Sequence, residues 1–181
     1  MILKCKMCGG GITVREGKTS VRCEYCGSNT TLPKVDDERV AALYNRANQQ
    51  RMQKDFDKAE LAYEAIALER PEDAEAYWCA MLCHYGVEYV KDPYSGEQLP
   101  TLHRMQTEPV LKDMNYLRAA ALADPAAKEL YEREAGRISV IQDRFLTISS
   151  KEKPFDAFIC YKETDENGGR TAYTRRRFTT R

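Results

Sequence analysis

CKMCGGGITVREGKTSVRCEYCG, residues 5–27, contains the pattern cysteine-x-x-cysteine-glycine twice, at residues 5–9 and 23–27. Two residues between thiolates let both sulfurs reach one ion from a tight turn, so two such turns supply the four tetrahedral ligands that a structural Zn²⁺ prefers. A glycine after each second cysteine favours a positive φ, because it closes the turn without a Cβ clash. The stretch therefore predicts one metal site with the ligands Cys5, Cys8, Cys23 and Cys26.

Short strands are expected around these turns. The sequence predicts a hairpin of residues 12–14 and 20–22 about a turn at residues 16–18, with residues 30–32 as a third strand. So small a unit buries too little surface to fold alone, and the metal supplies its folding free energy. Because all four ligand positions are cysteine, no coordination position stays open, which favours a structural role over a catalytic one.

The cysteine segment leaves some alternatives open. Two redox pairs or a disulfide framework would use the same cysteines, and iron would use the same four thiolates as zinc. Residues 3–33 resemble the zinc ribbon family, whose members have unrelated functions. Some zinc ribbons bind nucleic acid through basic residues, but we favour a solvated surface or a protein contact for the basic positions Lys4, Lys6, Arg15, Lys18, Arg22 and Lys34.

Composition excludes several classes of protein. The 28 Lys and Arg residues balance the 28 Asp and Glu residues, so no overall field favours nucleic acid or an anionic surface. The longest apolar stretch, residues 76–83, falls short of the ~20 residues that span a bilayer, and the N-terminus has no apolar segment typical of a secretory signal. We therefore expect a cytoplasmic protein with no membrane partner, in which cysteines serve as metal ligands or core residues.

Residues 36–149 are expected to be mainly helical, because Ala, Glu, Lys, Leu, Arg and Gln dominate and glycine is absent from residues 28–85. In the first helix, Val40, Leu43, Ala47 and Gln50 fall on one face. The expected later elements are helices over residues 56–69 and 73–89, a loop over residues 91–100, short helices over residues 109–114 and 116–123, and a long helix over residues 125–148.

The first two helices resemble one tetratricopeptide repeat. Ala47, Ala59, Tyr63 and Pro71 stand where that family has its small packing residues, aromatic residue and closing proline, although Arg46 and Gln50 depart from its pattern. The resemblance implies stacked helix pairs that bind peptides or other domains. The alternative is a spacer that holds the two ends of the chain apart.

Other metal or catalytic residues are not evident in the helical region. Cys79 and Cys83 lie on one helix face with His84 adjacent, so a second metal site must be weighed, but core packing is the preferred interpretation. His103 lies in a predicted loop beside no recognisable nucleophile or acid, and we assign it no role.

Residues 154–171 resemble the first strand and first loop of a Toll/interleukin receptor (TIR) domain, an α/β fold of flavodoxin type. The residues that carry this resemblance are Phe155, Asp156, Phe158, Ile159 and Tyr161 in the strand and Asp165, Gly169 and Arg170 in the loop. The resemblance implies a buried strand in a parallel sheet. Some family members cleave NAD with a glutamate that lies well beyond this loop, and others only assemble with one another.

Residues 172–181, AYTRRRFTTR, lack the helical periodicity that follows this loop in bacterial TIR chains. When suitable codons for residues 170–181 are read in another frame, they encode Asp-Ser-Val-His-Ala-Gln-Ala-Ile-Tyr, which is similar to the missing helix. We therefore interpret residues 172–181 as an out-of-frame tail and the TIR domain as truncated. The alternative is a basic contact to nucleic acid or an anionic surface.

The predicted fold class is a small β zinc ribbon (residues 1–34), a mainly α tetratricopeptide-like region (residues 36–149) and an incomplete N-terminal fragment of a TIR domain (residues 154–171). The predicted function is protein interaction in signal transduction, with a structural zinc ion and no catalytic residues. Protein partners would bind through the helical repeats or by TIR-type assembly. The alternative function is that of a nucleic-acid-binding zinc ribbon protein with a basic tail.

Overall fold

The computed structural model describes residues 1–14, 17–151, 157–164 and 170–178, with side chains up to residue 150. The chain divides into two compact units, Met1–Phe145 and Leu146–Arg181. The strands are β1 (Ile2–Lys4), β2 (Gly11–Thr13), β3 (Ser20–Arg22), β4 (Asn29–Thr31), β5 (Val87–Lys91), β6 (Gln98–Leu102), β7 (Ala157–Thr164) and β8 (Arg170–Phe178). The helices are α1 (Glu38–Met52), α2 (Phe56–Glu69), α3 (Ala74–His84), α4 (Met114–Leu122) and α5 (Pro125–Lys151), with a 3-10 helix at Val110–Lys112.

The cysteine segment folds as two hairpins, and the predicted pairing of residues 12–14 with residues 20–22 is wrong. Strand β1 pairs antiparallel with β2, with Leu3 opposite Ile12, and β3 pairs antiparallel with β4, with Val21 opposite Thr30. Each cysteine turn connects the two strands of its own hairpin, so the turn itself sets the strand pairing. The predicted third strand, residues 30–32, corresponds to β4 at Asn29–Thr31.

The helical region begins close to the predicted positions. Helix α1 starts after Asp37, whose carboxylate accepts a hydrogen bond from the Val40 N–H at 2.7 Å, and α2 has the predicted bounds. Ala47, Ala59 and Tyr63 are buried, as the resemblance to a tetratricopeptide repeat implies. The assignment to that family stays a prediction, because burial of small residues occurs in many helix pairs.

One prediction in this region is wrong, because the third helix ends at His84 instead of continuing to residue 89. The predicted loop over residues 91–100 is present as a turn at residues 92–97, but its two ends belong to the strands β5 and β6, which were not predicted. Gly86, with φ of 60°, follows the helix end, and a left-handed residue there stops the helix. Pro100 lies in β6 opposite Tyr89, where the two-stranded sheet tolerates the missing N–H.

The core of the first unit combines aromatic residues of several helices. Trp78 of α3 stacks on Tyr131 of α5 with 4.7 Å between the ring centroids, and Tyr44 of α1 lies 6.0 Å from Tyr63 of α2. Each buried aromatic side chain removes about 150–250 Å² from water, so these contacts account for much of the packing. The same core cluster includes the buried Leu3, Ile12 and Leu32 of the cysteine segment, which therefore packs on the helices.

Asp73 caps the N-terminus of α3 from a buried position. Its carboxylate accepts hydrogen bonds from the Tyr44 hydroxyl at 2.9 Å and the Glu75 N–H at 3.2 Å. Burial, reinforced by the negative charge of Glu75, raises the pKa of Asp73 to about 6. The folded protein therefore holds a proton at Asp73 that the unfolded chain releases near pH 4, so this group contributes stability at low pH that is lost as the pH rises through 6.

We expect Asp73→Asn to remove this pH dependence, because asparagine also caps helices and Tyr44 can reverse its hydroxyl to accept from the amide. Between pH 4 and pH 7, the free energy of unfolding of the variant relative to the wild type should rise by about 2 kcal/mol. Urea unfolding of both proteins across this range measures the difference in their free energies of unfolding. Any effect of metal loss that is the same in both proteins cancels in this difference. A difference that stays constant with pH would contradict the interpretation.

The second unit contains a hairpin in which β7 pairs antiparallel with β8, with Tyr161 opposite Thr174. Strand β7 confirms a strand in this part of the sequence, but strand β8 was not predicted, since residues 172–181 were interpreted as a tail. Thr171, Tyr173 and Thr174 are residue types that favour strands, so residue preference indicates this strand although helical periodicity is absent. Among the residues described, β7 has no parallel partner of the kind a TIR sheet contains.

Candidate metal centre

The structure brings the four predicted ligands together at one point. The Sγ atoms of Cys5, Cys8, Cys23 and Cys26 all lie within 4.8 Å of one another. The distance from Cys5 Sγ to Cys26 Sγ is 4.0 Å, and that from Cys8 Sγ to Cys23 Sγ is 3.7 Å. Four sulfurs at the Zn–S distance of about 2.3 Å would be separated by ~3.8 Å along each edge of the tetrahedron. The cluster therefore fits one tetrahedral metal ion such as zinc.

The two cysteine turns share one backbone geometry. In the first turn, Cys5 N–H donates to the Gly10 carbonyl at 2.7 Å and Gly9 N–H donates to the Cys5 carbonyl at 2.9 Å; the second turn repeats both bonds from Cys23 and Gly27, at 2.9 and 2.8 Å. Gly9 and Gly27 have φ values of 77° and 72°, which confirms the predicted positive φ. The repeated turn is what aims both sulfurs of each pair at the same point.

Burial opposes the ionisation of two of the four thiols. Burial raises the pKa of Cys5 well above its ordinary value and that of Cys8 to about 11. Although burial alone would raise it, the pKa of Cys23 is lowered by hydrogen bonds from the backbone N–H groups of Cys26 and Tyr25. Four thiolates in contact repel one another, so the fully ionised set requires the charge of a bound metal ion.

The glycine at the end of the second turn provides a test of this geometry. A methyl group at Gly27 would meet only the end of Arg22, at 3.8 Å, so Gly27→Ala should act through its φ of 72° alone. Gly17 lies outside the cysteine turns and has a φ of 74°, and no atom of the described residues lies within 4 Å of where its methyl group would be. Gly17→Ala is therefore a matched control. We expect similar losses of stability of ~1–2 kcal/mol in both zinc-loaded variants.

Only Gly27→Ala should weaken zinc binding, because only this substitution strains a turn that holds two ligands. Competition with a chromogenic chelator measures the affinity, and we expect a loss of at least tenfold for Gly27→Ala against less than twofold for Gly17→Ala. Equal zinc affinities for the two variants would show that the turn geometry does not position the ligands.

Lys6, which lies between two of the ligands, anchors the metal centre to the helices. Its side chain is 7% exposed and forms an ion pair with Glu75 of α3, which is 3% exposed. The Lys6 ammonium also donates to Thr31 Oγ1 at 2.5 Å, and the Tyr131 hydroxyl donates to Glu75 Oε2 at 2.8 Å. Hydrogen bonds that satisfy the remaining polar groups offset part of the cost of burying an ion pair, and here Thr31 and Tyr131 supply them to Lys6 and Glu75.

Helix α1 presents three polar side chains to the same segment. Asn45 pairs with the free edge of β1, accepting from the Lys4 N–H at 2.7 Å and donating to the Ile2 carbonyl at 3.0 Å. Asn48 donates to the carbonyls of Lys4 and Cys5, both at 3.3 Å. Arg51 donates to the Lys6 carbonyl and, at 2.7 Å, to the Val87 carbonyl of β5. These side chains satisfy backbone groups of the first cysteine hairpin and of β5.

No family model matches the chain, and no curated protein or solved structure is detectably similar to it. The identity of the metal centre therefore rests on the geometry described above. The cluster supports a metal ion such as zinc, and the resemblances to zinc ribbons, tetratricopeptide repeats and TIR domains stay predictions.

The other cysteine and histidine residues of the helical region are placed away from this centre. Cys79 and Cys83 are fully buried in α3, as the core-packing interpretation expects, and burial raises the pKa of both thiols. His84 Nδ1 lies 3.0 Å from Glu60 Oε1, and His103 Nε2 lies 2.5 Å from Glu88 Oε2. Among the side chains that the structure includes, only the four predicted ligands form a group that could hold a metal ion.

The residues predicted from the TIR resemblance lie partly outside the described residues. Phe158, Ile159 and Tyr161 belong to β7 and Arg170 to β8, while Phe155, Asp156, Asp165 and Gly169 fall in segments that the structure does not describe. No helix of the described chain is long and apolar enough to cross a membrane.

Sequence reasoning missed a third turn with the geometry of the cysteine turns. In residues 92–97, Asp92 N–H donates to the Glu97 carbonyl at 2.8 Å, Gly96 N–H donates to the Asp92 carbonyl at 2.9 Å, and Gly96 has a φ of 74°. The signal was present in the sequence, since Asp92, Ser95 and Gly96 have the spacing of the cysteines and glycine in each metal turn. Here the Ser95 hydroxyl donates to the Asp92 carboxylate at 2.6 Å, so a side-chain hydrogen bond closes the turn.

Proposed function

We propose that this chain is a non-catalytic protein-interaction component of cytoplasmic signalling, in which a structural zinc ion fastens the cysteine segment to a helical scaffold. The observation that carries the proposal is the burial of Lys6 against Glu75. Lys6, a basic residue beside the metal ligands, is thereby paired within the chain and is not available to contact a nucleic acid. This supports a stabilising role for the metal centre over a role in nucleic-acid recognition.

The chemistry of the centre supports the same role. Four thiolates fill the coordination sphere of Zn²⁺, so no position is left to bind a substrate or a reactive water molecule. The hydrogen bonds from Asn48 and Arg51 hold the carbonyls of the first cysteine turn against α1. The proposed zinc ion therefore fixes the relative positions of α1, α3 and the cysteine hairpins.

The proposed partners are proteins that contact the outer faces of the helices. Leu61 and Leu68 of α2 and Met114 and Leu117 of α4 are exposed apolar side chains on two of these helices. Leu61 and Leu68 are seven residues apart and lie on one face of α2, and contiguous exposed apolar surface of this kind is common at protein interfaces. The proposal includes tetratricopeptide-like binding by the helices and TIR-type assembly through residues 154–171, on the strength of the sequence resemblances alone.

Affinity purification of the tagged chain from its native cells tests this function. We expect one or more proteins to be recovered in near-stoichiometric amounts and to bind again when purified separately. The metal-ligand variant Cys23→Ala should lose them, because the scaffold depends on the centre. Recovery of nucleic acid, with a salt-sensitive gel shift and no protein partner, would contradict the proposal and favour the nucleic-acid-binding alternative.

A further inference from the structure

The two cysteine hairpins each leave one strand edge beside a common groove. Among the strands that the structure describes, β2 pairs only with β1 and β3 pairs only with β4. The groove, a cavity of about 510 Å³, is lined by all three residues of β2 and all three of β3, whereas no residue of β1 or β4 lines it. It therefore lies along the edges of β2 and β3 that are turned away from their partner strands.

The hydrogen bonds of the first hairpin fix which backbone groups of β2 point into the groove. Val14 N–H donates to the Met1 carbonyl at 3.1 Å, so these two residues form a hydrogen-bonded pair. Such pairs alternate along an antiparallel ladder with pairs whose N–H and C=O groups point outward. The outward groups of β2 are therefore those of Thr13 and Gly11, which line the groove.

The second hairpin turns the same kind of edge to the groove. Leu32 N–H donates to the Thr19 carbonyl at 2.8 Å, and the same alternation leaves the N–H and C=O groups of Ser20 and Arg22 pointing away from β4. Within the described parts of the chain, the outward groups of β2 and β3 have no hydrogen-bond partner. Two rows of backbone donors and acceptors thus line one groove, and an edge of this kind is a template for another extended chain.

The side chains along the groove alternate between apolar and exposed positions. Ile12, the middle residue of β2, is 5% exposed, and Val21, the middle residue of β3, packs against the same hydrophobic core. Leu32, which is also buried, lines the groove as well. Thr13 and Arg22, one residue further along each strand, are exposed. A strand placed between β2 and β3 would therefore turn an apolar residue towards Ile12 and Val21 and polar neighbours towards solvent.

We propose that the groove binds an extended segment of a partner protein as an added strand, which pairs with the free edges of β2 and β3 and places an apolar side chain beside Ile12 and Val21. The proposal rests on the protein-interaction function and specifies how the partner is bound. Successive residues of an extended chain point their N–H and C=O groups to opposite sides, so one segment can serve both edges. Main-chain hydrogen bonds would provide the affinity and the apolar position the specificity.

The groove suits a peptide better than the two other candidate occupants. Lys18, Arg22 and the exposed ring of Tyr25 also line it, as in sites for single-stranded nucleic acid, but a nucleic acid lacks the alternating N–H and C=O groups that two strand edges require. A second copy of this chain suits it less, because every strand in the described residues already has a partner on one edge. The groove requires a strand with both edges free.

Titration of the zinc-loaded, ¹⁵N-labelled chain with the peptide acetyl-Thr-Thr-Val-Thr-Thr-amide tests the proposal. We expect saturable shifts in the backbone amides of Gly11, Thr13, Ser20 and Arg22, whose N–H groups point into the groove. The analogue with N-methylvaline at its centre lacks one backbone donor and should bind at least tenfold more weakly. The analogue with aspartate in place of valine should lose as much, because its carboxylate would lie beside Ile12 and Val21.

Two proline variants test the same pairing from the side of the protein. Thr13 and Ile2 lie opposite each other in a pair that makes no ladder hydrogen bonds, so proline at either position leaves the β1–β2 bonds intact. Thr13→Pro removes an N–H group from the groove and should weaken peptide binding at least tenfold. Ile2→Pro removes an N–H group from the opposite edge of the same hairpin and should change the affinity less than twofold. Both variants should keep their zinc ion.

Equal binding of the valine and N-methylvaline peptides, or no saturable shifts at the four amides, would overturn the proposal. So would shifts at these amides that appear with protein concentration alone, or tighter binding of an eight-residue oligothymidylate than of the peptide. The proline variants also separate this proposal from the wider one. If Thr13→Pro still recovers the partner proteins of the wild type in full, the groove is not their binding site, while the protein-interaction function stands.

Discussion

Removal of zinc by a strong chelator is expected to unfold the cysteine segment and to destabilise the helices that it contacts. Zinc binding to peptides of this ligand type contributes about 10–16 kcal/mol of apparent free energy at neutral pH, which short hairpins of three-residue strands cannot replace. Once the cysteine turns open, Glu75 loses its buried partner, the Lys6 ammonium. Arg51 loses the Lys6 carbonyl to which it donates. The effect should therefore reach α1 and α3.

Hydrogen exchange with and without chelator measures how far this destabilisation extends. We expect loss of protection throughout residues 1–34 and a smaller loss in α1 and α3. Cys23→Ala should reproduce it without chelator, because it removes a ligand. Cys83→Ala is the matched control, since it changes a cysteine that is equally buried but lies in the core of α3. That variant should keep its zinc ion and its protection in residues 1–34. Chelator-treated protein that retains full protection in these residues would contradict the account.

Replacement of Glu75 by glutamine is expected to cost about 3–5 kcal/mol of unfolding free energy, the range for breaking a buried ion pair by removing one partner. Glutamine keeps the shape of the side chain but leaves the Lys6 ammonium buried without a counter-charge. The Tyr131 hydroxyl and Cys79 Sγ, which lies 3.4 Å from Glu75 Oε1, would also lose their charged acceptor. Urea unfolding of the zinc-loaded proteins measures the change.

Two further variants separate the ion pair from the general effect of losing a carboxylate. The double variant Lys6→Met with Glu75→Gln removes both charges at similar volume, so much of the lost stability should return. Glu69→Gln breaks the exposed pair between Glu69 and Arg39, and we expect no measurable change there because water screens that pair. A cost for Glu75→Gln no greater than that for Glu69→Gln would show that the buried pair does not hold the metal centre in place.

The metal ligands could be predicted from the sequence because their chemistry is local. Two residues between cysteines and a glycine after them define a turn within five residues, and the structure confirms the clustering of sulfurs and the positive φ of Gly9 and Gly27. The strand pairing was predicted wrongly because residues 12–14 and 20–22 also flank a turn signal at Gly17. The observed arrangement follows from the cysteine turns, because each of them connects the two strands of its own hairpin.

The docking of the cysteine segment could not be predicted, because its main contacts join residues far apart in the sequence. Lys6 and Glu75 each look like ordinary surface residues when considered alone. Asn45, Asn48 and Arg51 recur at helical spacing, but polar residues at this spacing usually mark a solvated face. Only the tertiary structure shows that this face of α1 satisfies the backbone of the first cysteine hairpin.

Native mass spectrometry of the purified chain tests the central claim most directly, because it weighs the protein together with its metal. The account predicts a mass that exceeds the apoprotein by one zinc ion per chain, less the thiol protons that the metal displaces, and predicts that this increment is absent from Cys23→Ala and present in Cys83→Ala. A wild-type chain from zinc-replete cells that carries no metal, or a Cys23→Ala chain that keeps one zinc ion, would contradict the assignment of Cys5, Cys8, Cys23 and Cys26 as the structural zinc site.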